Sequence, residues 1–213
     1  MAIKPILFNT EMVRAILGGR KSCTRRIVKG YIPKDAQFGY TAFTPDGSIS
    51  CRGLFETTGR LGYGEKFLKL PYQPDDIMYV RETFVQPATH IFWYRADNAE
   101  YTKNILWHPS IHMPKEATRI WLKVTDVRVE RLQDITPKGA ESEGVGNLFY
   151  DDIGYGEKNY GTEVDPEYGI TKEQFAWLWE STIKKSDLDR YGWDANPYVW
   201  VIEFERCEKP EGV

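Results

Sequence analysis

The chain has 213 residues, 41% of them hydrophobic and 28% charged, with a formal net charge of −3. That apolar content excludes a disordered tail and fits one domain with insertions or two small ones. The acidic balance argues against a non-specific duplex binder, which carries a basic footprint. Three cysteines without a CxxC spacing indicate neither a disulfide framework nor a cysteine zinc site. No apolar run is long enough to cross a membrane. A cytoplasmic protein with no membrane partner is therefore expected.

In chain order, "PILF" predicts a short strand. "NTEMVRAILGG" predicts a helix capped by Asn9 or Thr10, with an apolar stripe of Met12, Val13, Ile16 and Leu17. Gly18 and Gly19 end it, because glycine tolerates the left-handed conformation common just past a helix. "TRRIVK" predicts the next strand. "YTAF" and "SISC" flank the turn signal "TPDG", predicting a hairpin. "EKFLKLPY" predicts a strand, and "PYQPDDIMYVRETF" a turn and then a strand. That strand puts Ile77, Tyr79 and Arg81 on one face and Met78, Val80 and Glu82 on the other. "HIFWYRA" is a strand, and "TRIWLKVTDVRVERLQD" is a long one or two joined. "TPKGAESEGVG" predicts a short helix opened by Thr136 and Pro137. "TKEQFAWLWESTIKK", with Phe175, Leu178, Trp179 and Ile183 at helical spacing, predicts an amphipathic helix over 171–185. "YVWVIEFERC" predicts a closing strand. This order predicts an α+β fold around a small, mostly antiparallel barrel. A single domain over 1–213 is expected, with insertions near 97–115 and 146–170.

Charge is unevenly placed. Met12 to Lys34 holds seven Lys/Arg and no acid, whereas Asp134 to Glu180 holds eleven Asp/Glu and three Lys. Such asymmetry suits a local anionic ligand, or two halves that complement each other across the fold. The basic centre is "GGRKSCTRR", where Lys21 stands three residues before Thr24. A threonine hydroxyl is a poor nucleophile until a base takes its proton, and a lysine serves when burial or neighbouring cations destabilise its ammonium. Arg20, Arg25 and Arg26 supply such cations and are also candidates to hold an anionic substrate group. The same run would serve equally as a solvated basic turn. Tyr79, Trp93 and Tyr94 are candidate ring platforms, and candidate core residues as well. Glu82 is grouped with Tyr79 and Trp93 as a substrate contact, although in "VRETF" it would also simply pair with a neighbour. His108 and His112 are interrupted by proline, so no metal site is expected, and no cofactor motif is present.

"ILGGRKSCTRR" resembles the signature of the ASCH domain family, Gly-x-Lys-x-x-Thr-x-Arg after a short helix, through Gly19, Lys21, Thr24 and Arg26. "QPDDIMYVRE", "VTDVRVERLQDITPKGAESEGV" and "YVWVIEF" resemble, in order, the family's turn into a barrel strand, its long strand with a short acidic helix, and its closing strand. The whole is most similar to the longer members from phages and prophages. The resemblance implies a PUA-like β-barrel. It also implies an amidohydrolase that removes the acetyl group from N4-acetylcytidine, with Lys21, Thr24 and Glu143 catalytic. "AESEG" offers Glu141 as well, and the two glutamates point about 200° apart in a helix, so only one faces a common cleft. Lys21 would act as base toward Thr24, Thr24 would attack the carbonyl, and Glu143 would protonate the leaving amine or activate water. PUA-like barrels also hold RNA or a modified base without altering it, and a ribonuclease is a third implication. The implied partner in every case is a modified nucleoside or RNA.

Overall fold

The computed structural model describes residues 1–29, 32, 37–43, 49–56, 63–97, 105–145 and 172–212. The described residues form ten strands and four α-helices, and five of the strands make a central sheet of order β1-β6-β9-β10-β2. These strands are β1 (Ile3–Leu7), β2 (Cys23–Ile27), β6 (Ile77–Arg81), β9 (Trp121–Arg131) and β10 (Tyr198–Cys207). All neighbours are antiparallel except β1 and β6. A meander of β3 (Gln37–Phe43), β4 (Ile49–Glu56) and β5 (Tyr63–Lys69) forms a second sheet, and β7 (Phe84–Ala88) and β8 (Ile91–Tyr94) a hairpin. The protein is thus α+β. Among the described residues the strands group into these three sheets rather than into one closed barrel.

The central sheet carries apolar cores on both faces because β10 alternates strictly. Trp200, Ile202 and Phe204 pack with Val13 and Ile16 of α1 (Thr10–Leu17) and with Met78, Val80, Leu122 and Val124. Val199 and Val201 face the other way. They pack with Cys23, with Ala140 of α2 (Pro137–Ser142) and with Phe175 and Trp179 of α3 (Lys172–Thr182). Two-fold side-chain alternation in β-branched strands buried on both sides produces this division. β2 is an edge of the sheet. It therefore carries Cys23 and Arg25 toward the α2–α3 face, and Thr24, paired with Ile202, toward the α1 face.

Local signals explain most boundaries. Asn9 caps α1 by accepting from the Met12 N–H at 2.8 Å, and Thr136 caps α2 by accepting from Gly139 N–H at 3.0 Å. Only Gly19, with φ +71, takes the left-handed conformation after α1; Gly18 does not. The long "TRIWLKVTDVRVERLQD" segment is a single strand, and the irregularity lies in its pairing, which shifts register between Glu203 and Phe204 of β10. "IMYVRETF" departs from a single strand: it breaks after Arg81, and Phe84 begins a separate hairpin. The predicted helix over 171–185 is shorter, ending at Thr182, and a further turn of helix, α4 (Leu188–Tyr191), follows. "TPDG" and the 146–170 insertion lie outside the described residues. No described helix is long and apolar enough to cross a membrane.

Asp76 ties the start of the chain to this frame. It accepts from Ala2 N–H at 2.6 Å, Lys4 Nζ at 2.7 Å and Gln73 N–H at 3.0 Å. Burial alone would raise its carboxyl, but these donors outweigh burial and hold it below the ordinary 3.8.

Candidate functional site

Gly18 and Gly19 turn the chain out of α1, and the Arg20 and Lys21 N–H groups both close back on the Ala15 carbonyl. This fold-back delivers Lys21 to the edge strand, where its backbone forms an isolated antiparallel bridge with Glu143 at the end of α2. The approach is close. A Cβ on Gly144, whose φ is +83, would lie 2.7 Å from Ala15 Cβ and 3.0 Å from Lys21 Cβ. Only glycine fits there on both counts.

Lys21 is 4% exposed and Glu143 6%. Lys21 Nζ donates to Glu143 Oε2 at 2.7 Å, to the Glu143 carbonyl at 2.9 Å and to the Cys23 carbonyl at 2.7 Å. Three acceptors match the three N–H donors of an ammonium, so the amine is fully satisfied in its charged form. Burial pulls the other way and draws the Lys21 ammonium below the ordinary lysine value, with Glu143 opposing. The amine also lies 5.6 Å from the centre of the Phe8 ring, which Arg26 approaches to 5.3 Å.

The second oxygen of Glu143 is held by Arg25. Arg25 Nη1 donates to Glu143 Oε1 at 3.3 Å and Nη2 to Glu130 Oε2 at 3.4 Å. Arg128 in turn donates to Glu130, Asp126 and Glu203. Charged groups thus run from the buried Lys21 to the partly exposed β9 face. Cys23 lies within this charge, but burial, reinforced by Glu143, pushes its thiol up to about 12. It is an inert thiol, not a competing nucleophile.

The sequence-derived candidates divide between regions. Lys21, Glu143 and Arg25 come together. Glu141, the alternative to Glu143, is exposed. Thr24 is 1% exposed and directly follows the Cys23 carbonyl that Lys21 holds, but no hydrogen bond joins its hydroxyl to Lys21 or Glu143. Arg25 is buried, and its guanidinium is divided between the Glu143 and Glu130 carboxylates. Arg26 donates to the Leu7 carbonyl at 2.8 Å, and Arg20 is exposed. The other candidates are elsewhere. Tyr79 packs against Trp121 with ring centres 6.1 Å apart. Glu82 is paired with Arg119, and Trp93 is exposed on the β7–β8 hairpin. Among the described residues no hydrogen bond or ion pair links Tyr79, Glu82 or Trp93 to Lys21.

No family model, curated protein or solved structure matches the chain. The functional reading therefore rests on this geometry and on the sequence signature.

Glu130, Arg128, Gly139 and Gly144 belong to the site's surroundings but were not singled out from the sequence. One signal was available: Asp126, Arg128 and Glu130 alternate along β9, placing three charges on one face of a strand. Nothing in the sequence pattern says that Arg25 reaches the same face.

Proposed function

We propose that the chain is an amidohydrolase of the ASCH type, with a PUA-like arrangement of its strands, removing an acyl group from a modified nucleoside such as N4-acetylcytidine. The observation that supports this reading best is the buried 2.7 Å contact between Lys21, from the signature stretch, and Glu143, 122 residues away. Lysine can surrender its proton when buried, and a carboxylate beside it can receive one. Transfer within the pair turns an ammonium and a carboxylate into an amine and a carboxylic acid. Both charges disappear, which a dry site favours.

The neutral Lys21 amine then takes the Thr24 proton as Oγ1 bonds to the acetyl carbon. The tetrahedral intermediate collapses, the carbon–N4 bond breaks, and N4 leaves with the Glu143 proton. Acetyl-Thr24, Lys21 ammonium and Glu143 carboxylate remain. Water then adds to the acetyl carbon and gives one proton to Glu143; the carbon–Oγ1 bond breaks, Oγ1 takes its proton back from the Lys21 ammonium, and acetic acid leaves and ionises in solvent. Lys21 Nζ is held by the Cys23 carbonyl, one peptide from Thr24, which supports this pairing of base and nucleophile.

The test is release of cytidine and acetate by purified protein, separated by chromatography. Thr24→Val, Lys21→Met and Glu143→Gln are each expected to lose activity by roughly 10³-fold or more. Glu141→Gln, a change at an exposed position, is expected to leave it unchanged.

A second reading has its own support. The Lys21 amine is already satisfied and both Glu143 oxygens are engaged, as in a structural ion pair. A binding module for RNA or a modified base, without hydrolysis, fits that. Wild-type protein that binds the nucleoside and releases no acetate would establish it, and RNA cleavage would establish the ribonuclease instead.

A further inference from the structure

Arg25 is a buried cation that the proposed chemistry does not use. It is 6% exposed, lies 5.8 Å over the Phe175 ring, and its Nε has no hydrogen-bond partner among the described residues. A guanidinium cannot give up its charge, and burying one is costly unless paired. Its two terminal nitrogens are therefore decisive: one meets Glu143 and the other Glu130. Helix α2 makes room for this. Gly139 sits inside that helix, where glycine costs about 1 kcal/mol relative to alanine. A Cβ there would lie 3.2 Å from Arg25 Nη2 and 3.2 Å from Ile135 Cγ1. The sequence tolerates a weak helix former at the point where the guanidinium passes.

We propose that Arg25 is a positioning residue: it holds Glu143 Oε1 so that Oε2 stays on Lys21, and Glu130, steadied by Arg128, fixes Arg25 in turn. This rests on the reading of Lys21 and Glu143 as the acid–base pair. Arg25 does not meet the substrate. It sets how the proton divides between Lys21 and Glu143, because a fixed positive charge on Oε1 favours the carboxylate. Among the described residues the charged and titratable groups facing Glu143 are Lys21, Cys23, Arg25 and Arg26 from the connector and β2, with Glu130 of β9 behind Arg25. From α3 the Phe175 ring brings no charge. Removing Arg25 therefore has one expected sign. Glu143 holds its proton to higher pH, and the acid limb of the activity profile moves with it.

The test reads Glu143 directly, by carbon-13 NMR of protein labelled at the glutamate side-chain carboxyls, with the Glu143 signal assigned by its loss in Glu143→Gln. Arg25→Met removes the charge on Oε1 and is expected to move the Glu143 titration midpoint up, and Arg25→Lys to move it up less. Glu130→Gln, at a partly exposed position, removes an anion and is expected to move the midpoint down. It serves if Arg25→Met does not fold. An unchanged midpoint in folded Arg25→Met, or an upward shift in Glu130→Gln, overturns the proposal. These readings need no turnover. Loss of the amidohydrolase reading would show as absent acetate release from wild-type protein, whatever the NMR gives.

Discussion

Among the described residues three carboxylates, Asp76, Glu82 and Glu143, are buried beside cations, and the two glutamates are held differently. Glu82, just past β6, receives both bonds from one guanidinium: Arg119 Nε at 2.8 Å and Nη2 at 3.0 Å. Arg119 also pairs with Asp97 and stacks on the Tyr94 ring at 4.0 Å. Glu143, at the end of α2, divides its oxygens between a lysine and an arginine. The forked pair is closed and cannot exchange its proton, because arginine does not titrate. The divided pair contains one cation that can. Burial alone therefore does not mark a reactive carboxylate; on the proposed reading the mark is a titratable cation that is itself buried, as Lys21 is and Lys4 beside Asp76 is not.

The largest expected difference between the regions is in activity. Lys21→Arg keeps the charge beside Glu143 but removes the titratable amine, and hydrolysis is expected to fall by roughly 10³-fold. Glu82→Gln is expected to leave the rate per folded molecule unchanged and to lower stability by only about 1 kcal/mol in urea unfolding, since Arg119 loses its fork on Glu82 but keeps Asp97 and the Tyr94 ring. Lost activity in folded Glu82→Gln would break the comparison.

A smaller contrast is in pH dependence. Burial raises the Glu82 carboxyl above 4.5, with Arg119 opposing. The folded protein therefore binds this proton more readily than the unfolded chain does. Its contribution to stability is present below 4.5 and is lost as pH rises through the folded value. Asp76 is lowered below 3.8, so its contribution is present above 3.8 and is lost as pH falls through the folded value. Asp76→Asn is expected to cost about 2 kcal/mol near neutrality and to flatten the loss of stability in acid. Denaturant titrations at stepped pH measure both signs.

The fold was legible where one signal sufficed. Strict alternation in "YVWVIEF" placed β10, and Asn9 and Thr136 placed two helix starts. The break between Arg81 and Phe84 was hidden because "IMYVRETF" keeps strand-like composition throughout, and α4 because four residues are too few to show a helical period. At the site, the Lys21 neighbourhood was read from a local motif. Its meeting with Glu143 depended on resemblance, since no periodicity links residues so far apart. The burial of Arg25 was not legible. "TRRIVK" presents two adjacent arginines, and only strand alternation with the facing β9 charges distinguishes the one turned inward from the one on the α1 face.

The central claim is that Lys21 and Glu143 make Thr24 a nucleophile. The most direct measurement is the mass of the Thr24 peptide after wild-type protein is mixed with N4-acetylcytidine and quenched with acid during turnover. An acetyl group on Thr24 is expected, absent in Thr24→Val and in Lys21→Met. Cytidine released at an undiminished rate by folded Thr24→Val, with no acetyl on the wild-type peptide, would contradict the account.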